Sequence, residues 1–366
     1  MSAAIRVIQI VGSQVGGVRL HVHDLLLGLD PARVAQAYVY STRLFDARFT
    51  DEVPRIEARC SEMLALDIRR PPAFGDVRNI LRVIALARRC RAQILHGHGA
   101  KGGLYARLAA HVVGARAVYT PHGGSAHDAF GPVQDFVYRK TERALIPFTH
   151  LFLFESMYSA DAFARRTGVA RLPMLINPNG HALADEAPVR LPKHVRARPV
   201  VGFFGMLRDE KGPDLAIEVA ARVPEIELHI YGDGQARAAL EAQAAPLGNR
   251  VVFHGDVRDA TDRMRTCDVI LIPSRFESFG YVALEAALLG LPVAAFSTGG
   301  LPEILHDHPA ACMAPTGDVA ALAACLRAVL QRSPVESSPV LRAKFARGRM
   351  LATVSSAYSE LLTTAL

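Results

Sequence analysis

The chain has 366 residues, 50% of them hydrophobic, with 42 Lys plus Arg against 35 Asp plus Glu for a formal net charge of +7. A single core rarely grows past about 250 to 300 residues, so two domains are expected. The basic excess favours acidic partners such as nucleotide diphosphates or anionic lipid head groups; nucleic acid is not expected, because the arginines are dispersed and neither a zinc-finger spacing nor an RNA-binding signature is present.

Short apolar strands alternate with helical stretches along the chain, the pattern of an α/β fold with mainly parallel sheets. Ile5–Val11 reads as the first strand, followed by a glycine turn through Gly16 and Gly17 and a helix from about Val18 to Leu29. Strands at Gln36–Tyr40, Ile94–His96, Ala117–Thr120 and Leu151–Phe154 belong to the same half. Asn177–Arg198 is rich in Pro and charge and lacks a sustained period, so the linker is placed there. A second half restarts at Pro199–Phe204, with further strands at Glu227–Tyr231, Val251–His254, Val269–Ile272 and Val293–Phe296. The last stretch, Leu341–Leu366, reads as one or two helices. The expected domains are 1–180 and 199–335.

Cys60, Cys90, Cys267, Cys312 and Cys325 include no Cys-x-x-Cys pair. They suggest neither a disulfide framework nor a thiolate zinc site and fit a reducing cytoplasm. The N-terminus passes directly into a strand pattern, and no apolar run approaches the roughly 18 residues needed to span a bilayer. A cytoplasmic protein is expected, with the inner face of the cytoplasmic membrane as a place of peripheral contact.

The densest chemistry follows the strand Val269–Ile272. Pro273-Ser-Arg-Phe-Glu277-Ser278-Phe279-Gly280 forms a turn, and a helical pattern opens near Phe279 and runs to Gly290. Ligands of open α/β sheets sit at the carboxyl ends of strands, where the first N–H groups of the next helix donate to anionic oxygens. Glu277 before this helix and Glu285 within it could flank a ligand that carries hydroxyls as well as phosphate. Glu285 is surrounded by Val282, Ala283, Leu284, Ala286 and Ala287, where a carboxylate needs a partner. Lys211 emerges beyond the strand Val200–Phe204 and could neutralise a diphosphate.

His122 follows a strand end in Thr-Pro-His-Gly, with Gly123 and Gly124 leaving room for close approach of a ligand. His96 and His98, with no acidic or Cys ligand beside them, make a weak zinc set, so no metal is expected, and His98 is read with Lys101 as lining an acceptor side. Gly12-Ser-Gln-Val-Gly16-Gly17 does not match the dinucleotide fingerprint G-x-G-x-x-G, which argues against a dehydrogenase.

The run from Pro273 to Glu285 resembles the donor-site motif of the retaining family 4 glycosyltransferases. Leu291 to Glu303, Tyr231-Gly232-Asp-Gly234 with Arg237, Gly205-Met-Leu-Arg208-Asp-Glu-Lys211-Gly212, Asn179-Gly180, Thr120-Pro-His-Gly123 and the first glycine loop extend the resemblance over nearly the whole chain. It implies the GT-B architecture, two facing Rossmann-like domains with an interdomain cleft, and a C-terminal helix within 341–366 that packs back on the first domain. It further implies transfer of a hexose from a nucleotide-diphosphate sugar to a saccharide or lipid-linked saccharide, with retention, without cofactor or metal, in cell-surface polysaccharide or glycolipid assembly. By that resemblance, Glu277 and His122 contact the donor sugar, Glu285 the ribose and Lys211 the diphosphate. Ser278, Phe279, Gly280, Gly232 and the loop glycines Gly16 and Gly17 then lie near the donor. The Arg that usually follows the glycine at 205 is Met206 here, and Arg208 is the candidate replacement. A nucleotide-sugar epimerase and a non-catalytic nucleotide-sugar-binding protein are the alternatives.

Overall fold

The computed structural model describes residues 4–43, 45–69, 71–123, 132–169, 171–189 and 191–363. The chain divides into two compact units, Met1–Gly180 with Arg347–Leu366, and His181–Ala346.

In the first unit, strands β1 (Ile5–Val11), β2 (Val34–Ser41), β3 (Cys60–Leu66), β4 (Ile94–His98), β5 (Arg116–Thr120), β6 (Leu151–Phe154) and β7 (Met174–Ile176) form one sheet in the order β3-β2-β1-β4-β5-β6-β7. Every pairing is parallel. Alternate residues of a strand point to opposite faces, so a parallel sheet covered on both sides carries two apolar sets. Ile8, Ile10, Val39 and Leu95 pack under the helices Gly75–Arg89 and Gly99–Val113. On the other face Val7, Val34, Ile94 and Val118 meet Leu25 of the helix Gly16–Gly28 and Met350, Val354 and Tyr358 of the helix Arg347–Thr363.

The second unit holds β8 (Val200–Phe204), β9 (Glu227–Tyr231), β10 (Val251–Gly255), β11 (Val269–Ile272), β12 (Val293–Phe296) and β13 (Ala311–Ala314), in the order β10-β9-β8-β11-β12-β13, again all parallel. Its two apolar sets follow the same alternation: Val201 and Phe203 face one core, Val200 and Phe204 the other.

Three strands were not expected from the sequence: β3, β7 and β13. Residues 181–198 belong to the second unit, with a short helix at Ala182–Asp185. The helix expected from near Phe279 to Gly290 is Tyr281–Leu288, shortened at its start by the left-handed backbone of Gly280. The expectation of no disulfide is corrected: Cys312 and Cys325 are bonded, with their Cα atoms 5.3 Å apart. Strand β13 and the helix Val319–Leu330 that follows it pack on the same core, which brings together thiols 13 residues apart in sequence. Among the described residues, no helix is long and apolar enough to cross a membrane.

Candidate active site

In the second sheet the strand order reverses between β8 and β11, and the loops leaving their carboxyl ends diverge there to leave room for a ligand. Lys211 comes from the first loop and Glu277 from the second. Lys211 Nζ lies 2.6 Å from Glu277 Oε1, which also accepts a hydrogen bond from Ser274 Oγ at 3.1 Å. Glu277 is only 7% exposed, so its charge is sustained by these partners rather than by water.

The two loops are joined by their backbones as well. Arg275 and Phe276 donate main-chain hydrogen bonds to Glu210 O at 2.9 and 3.2 Å. The Arg275 guanidinium makes a two-pronged contact with Asp214 at 2.8 and 2.6 Å and donates to Asp209 O at 2.8 Å. The loop after β12 closes over the same segment, with Gly300 N donating to Glu277 O at 3.1 Å. Gly299 has φ +59, and a Cβ there would stand 1.6 Å from Glu277 O. Only glycine fits.

Glu285 lies on the helix Tyr281–Leu288, with His181 Nε2 3.3 Å from its Oε1. His181 Nδ1 accepts from Leu183 N at 3.2 Å, so the ring proton is on Nε2, facing the carboxylate. Nothing in the sequence reading singled out His181. Phe279 is buried, its ring packed edge-on against Tyr281 and Phe345, so only its main chain is available to a ligand. Gly280 caps the helix, and Ser278 is partly exposed beside it. Gly232 is a packing position: with φ +139, a Cβ would lie 1.9 Å from Gly205 O. Arg208 is partly buried on the Lys211 loop, at the start of the single turn Asp209–Lys211.

The sequence-predicted residues of the first unit separate into two groups. Lys101 is paired with Asp76, which also accepts from Tyr105 Oη, so its ammonium is already balanced. Gly16, at φ +58, and Gly17 open the helix Gly16–Gly28; Gly16 N donates to Asp46 Oδ2 at 3.3 Å, and Arg19 binds the same carboxylate at 3.0 Å. His98 sits elsewhere, on the opposite side of its own strand end. The alternation of β4 puts His96 and His98 on the sheet face that carries Gln9 and Thr120. His96 Nδ1 meets Tyr358 Oη at 2.6 Å and its Nε2 meets Thr120 Oγ1 at 2.9 Å. His98 Nε2 is 2.9 Å from Gln9 Oε1 and its Nδ1 is 3.2 Å from His122 Nε2.

His122 has a left-handed backbone, φ 51, uncommon for a residue with a side chain. The ring of His21, which the sequence reading missed, lies 4.9 Å from that of His122. Burial drives the His21 pKa down to about 4 and those of His96, His98 and His122 well below the ordinary imidazole value, so all four are neutral at pH 7. Gly124 lies outside the described residues.

Two parallel-sheet α/β units of this strand order, with a cation–carboxylate pair at the switch point of the second, define the GT-B type of fold. A crystal structure of Anabaena HepE in complex with UDP and glucose superposes with a TM-score of 0.79 at 19% identity, covering 97% of this chain and 100% of that one. Sucrose-phosphate synthase from Thermosynechococcus elongatus superposes with a TM-score of 0.75 at 18% identity over 100% of both chains. The chain belongs to the glycosyltransferases: residues 15–184 match Glycosyltransferase Family 4 and residues 198–332 match Glycosyl transferases group 1. A 2-deoxystreptamine N-acetyl-D-glucosaminyltransferase of Streptomyces fradiae is 31% identical over 65% of this chain and 62% of its own length. A D-inositol 3-phosphate glycosyltransferase of Mycobacteroides abscessus is 35% identical over 36% of this chain and 32% of its own. The chain thus matches less than two thirds of the length of these relatives.

Proposed function

We propose that the protein is a retaining glycosyltransferase that moves a hexose from a nucleotide-diphosphate sugar to a polyhydroxylated acceptor, with no metal at the leaving diphosphate. The observation that carries this reading is the partly buried Lys211–Glu277 pair, 2.6 Å apart at the switch point of the second sheet. Lys211 remains partly exposed and keeps donors for a phosphate oxygen while Glu277 holds it in place. As the sugar–phosphate bond breaks, negative charge grows on the departing diphosphate, and a pre-positioned ammonium stabilises that charge more than the ground state. Arg208, on the same loop, is the second cation, in the stead of an Arg at position 206. Glu277 holds sugar hydroxyls and Glu285 the ribose. With no carboxylate assigned as nucleophile, retention proceeds by same-face attack in which the leaving phosphate oxygen takes the acceptor proton.

The base is read as uridine on the strength of the UDP complex of Anabaena HepE. The curated relatives are named for 2-deoxystreptamine and D-inositol 3-phosphate, both cyclitols, so small polyols stand beside saccharides and lipid-linked saccharides as acceptors. Work in the cytoplasm or at the inner face of the cytoplasmic membrane, in polysaccharide or glycolipid assembly, fits the +7 charge.

The test is sugar transfer from UDP-hexoses to a panel of cyclitol and saccharide acceptors. Lys211→Ala is expected to lower kcat by roughly a hundredfold or more, the scale of removing one transition-state donor, with the fold retained by circular dichroism. A Lys211→Ala enzyme with unaltered kcat would remove this residue from the mechanism.

A further inference from the structure

We propose a metal site in the first unit, in which His21, His98 and His122 bind a zinc-class divalent ion. One ligand-capable nitrogen of each imidazole falls within 4.8 Å of the others. His98 Nδ1 and His122 Nε2 are 3.2 Å apart. Two nitrogens held by one tetrahedral zinc at about 2.0 to 2.1 Å are separated by roughly 3.3 Å, so this contact already has the span of a shared ion.

The protons are placed by a chain of amides. Gln36 Nε2 donates to the carbonyls of Leu25 and Leu26, at 3.1 and 3.2 Å, which leaves its Oε1 to accept from Gln9 Nε2 at 3.0 Å. Gln9 Nε2 also faces Tyr358 Oη at 3.2 Å, so the Gln9 oxygen is what meets His98 Nε2. His98 therefore carries its proton on Nε2 and points a bare lone pair from Nδ1 at the cluster centre. This is the outer-shell arrangement that orients a metal-binding histidine.

His21 supplies the independent observation. It is 3% exposed, and neither ring nitrogen has a partner of hydrogen-bonding geometry, the side chain of Asn179 being near enough only to act on its titration. Beside it lies Asn179, whose buried Oδ1 is also unpartnered. An ion on one nitrogen of His21 leaves the other protonated and facing an amide oxygen able to accept. One ligand thus resolves both deficits. His96 does not join the set, since both of its nitrogens are taken by Tyr358 and Thr120.

Three neutral imidazoles without a carboxylate select zinc, cobalt, nickel or copper over magnesium or calcium. Three protein ligands leave a fourth position for water, and the partly exposed His122 gives it a path to solvent. This ion has no part in holding the diphosphate. It would occupy His122, which the resemblance to the family places at the donor sugar, so zinc should inhibit transfer reversibly; that consequence, unlike the site itself, rests on the proposed function.

The experiment is equilibrium dialysis of the metal-free full chain against micromolar zinc, with metal counted by mass spectrometry, and cobalt as a spectroscopic probe. One zinc per chain and the visible absorption of tetrahedral cobalt are expected. His21→Phe and His98→Asn should weaken binding at least tenfold, whereas His96→Gln should keep its zinc. His122→Ala, at a partly exposed position, covers the case in which a buried variant fails to fold. Absence of stoichiometric zinc, or its retention in folded His21→Phe and His122→Ala proteins, would overturn the site. Stoichiometric zinc in a chain that transfers no sugar even after the metal has been removed would support the site and sink the transferase reading instead.

Discussion

Two carboxylates that stand close together in sequence have different companions. Glu277 is held by an ammonium and a hydroxyl on the loops, while Glu285, on the helix Tyr281–Leu288, faces the imidazole of His181. A ligand that displaces His181 from Glu285 gains a charge-assisted acceptor for its hydroxyls. Glu285→Ala should therefore weaken UDP binding by roughly 1.5 to 3 kcal/mol, a tenfold loss or more in titration calorimetry. Glu277→Gln should act on kcat and leave UDP affinity close to that of the wild type; equal losses of UDP affinity would contradict this division. Lys211, Glu277 and Glu285 could be singled out as candidates from the sequence because each lies within a short motif anchored to a strand end. His21 could not. Its neighbours are His98 at the end of β4 and His122 just past β5, and nothing in the sequence of the helix Gly16–Gly28 marks which face His21 presents.

At the scale of elements, the loops of the candidate site are shaped by close backbone approach. Gly299→Ala places a Cβ on Glu277 O, and Gly248→Ala, at a similar φ of +60 but with nothing within 4 Å, imposes only the conformational penalty. Chemical denaturation should show about 1 kcal/mol of loss for Gly248→Ala and more for Gly299→Ala, and only the latter should also reduce UDP affinity. The Asp214–Arg275 contact gives these loops an acid sensitivity. The hydrogen-bonded Arg275 guanidinium holds the Asp214 carboxyl below its usual value. A carboxylate whose folded-state pKa lies below the unfolded one contributes its full stability above the unfolded value, about pH 4, and loses it as pH falls through the folded one. The stability gap between the wild type and Asp214→Asn, followed by melting at a series of pH values, should be largest near neutrality and shrink below about pH 4. A constant gap would show that the pair does not titrate with folding. The sequence was least informative about edge strands. β3, Cys-Ser-Glu-Met-Leu-Ala-Leu, has a single fully buried residue, and β13, Ala-Cys-Met-Ala, is short and lacks β-branched side chains, so neither shows the apolar run of an interior strand.

For the whole molecule, the arrangement of two parallel sheets was readable because strand and helix patterns alternate regularly and restart after the linker. The place of the last helix was supplied by resemblance, since its amphipathic pattern does not say which sheet it covers. In the structure Met350, Val354 and Tyr358 close one face of the first sheet. Tyr358 also joins Gln9 and His96 in hydrogen bonds beneath it. Deleting residues 347–366 should expose Val7, Ile94 and Val118 and take from Gln9 Nε2 and His96 Nδ1 the hydrogen bonds they share with Tyr358. Hydrogen exchange should then show protection lost throughout strands β1, β4 and β5 and kept in β8 and β11. Uniform loss in both sheets would mean that the two units unfold as one.

That same helix sets a timetable for synthesis. The second unit is one uninterrupted stretch and has everything it needs once Ala346 has been made, whereas the first, begun earlier, waits for a segment translated after its neighbour. The nascent N-terminal sheet therefore spends the translation of the entire second unit with part of one apolar face uncovered. The unit begun first is finished last, and its uncovered apolar side chains are the ones open to wrong contacts during synthesis.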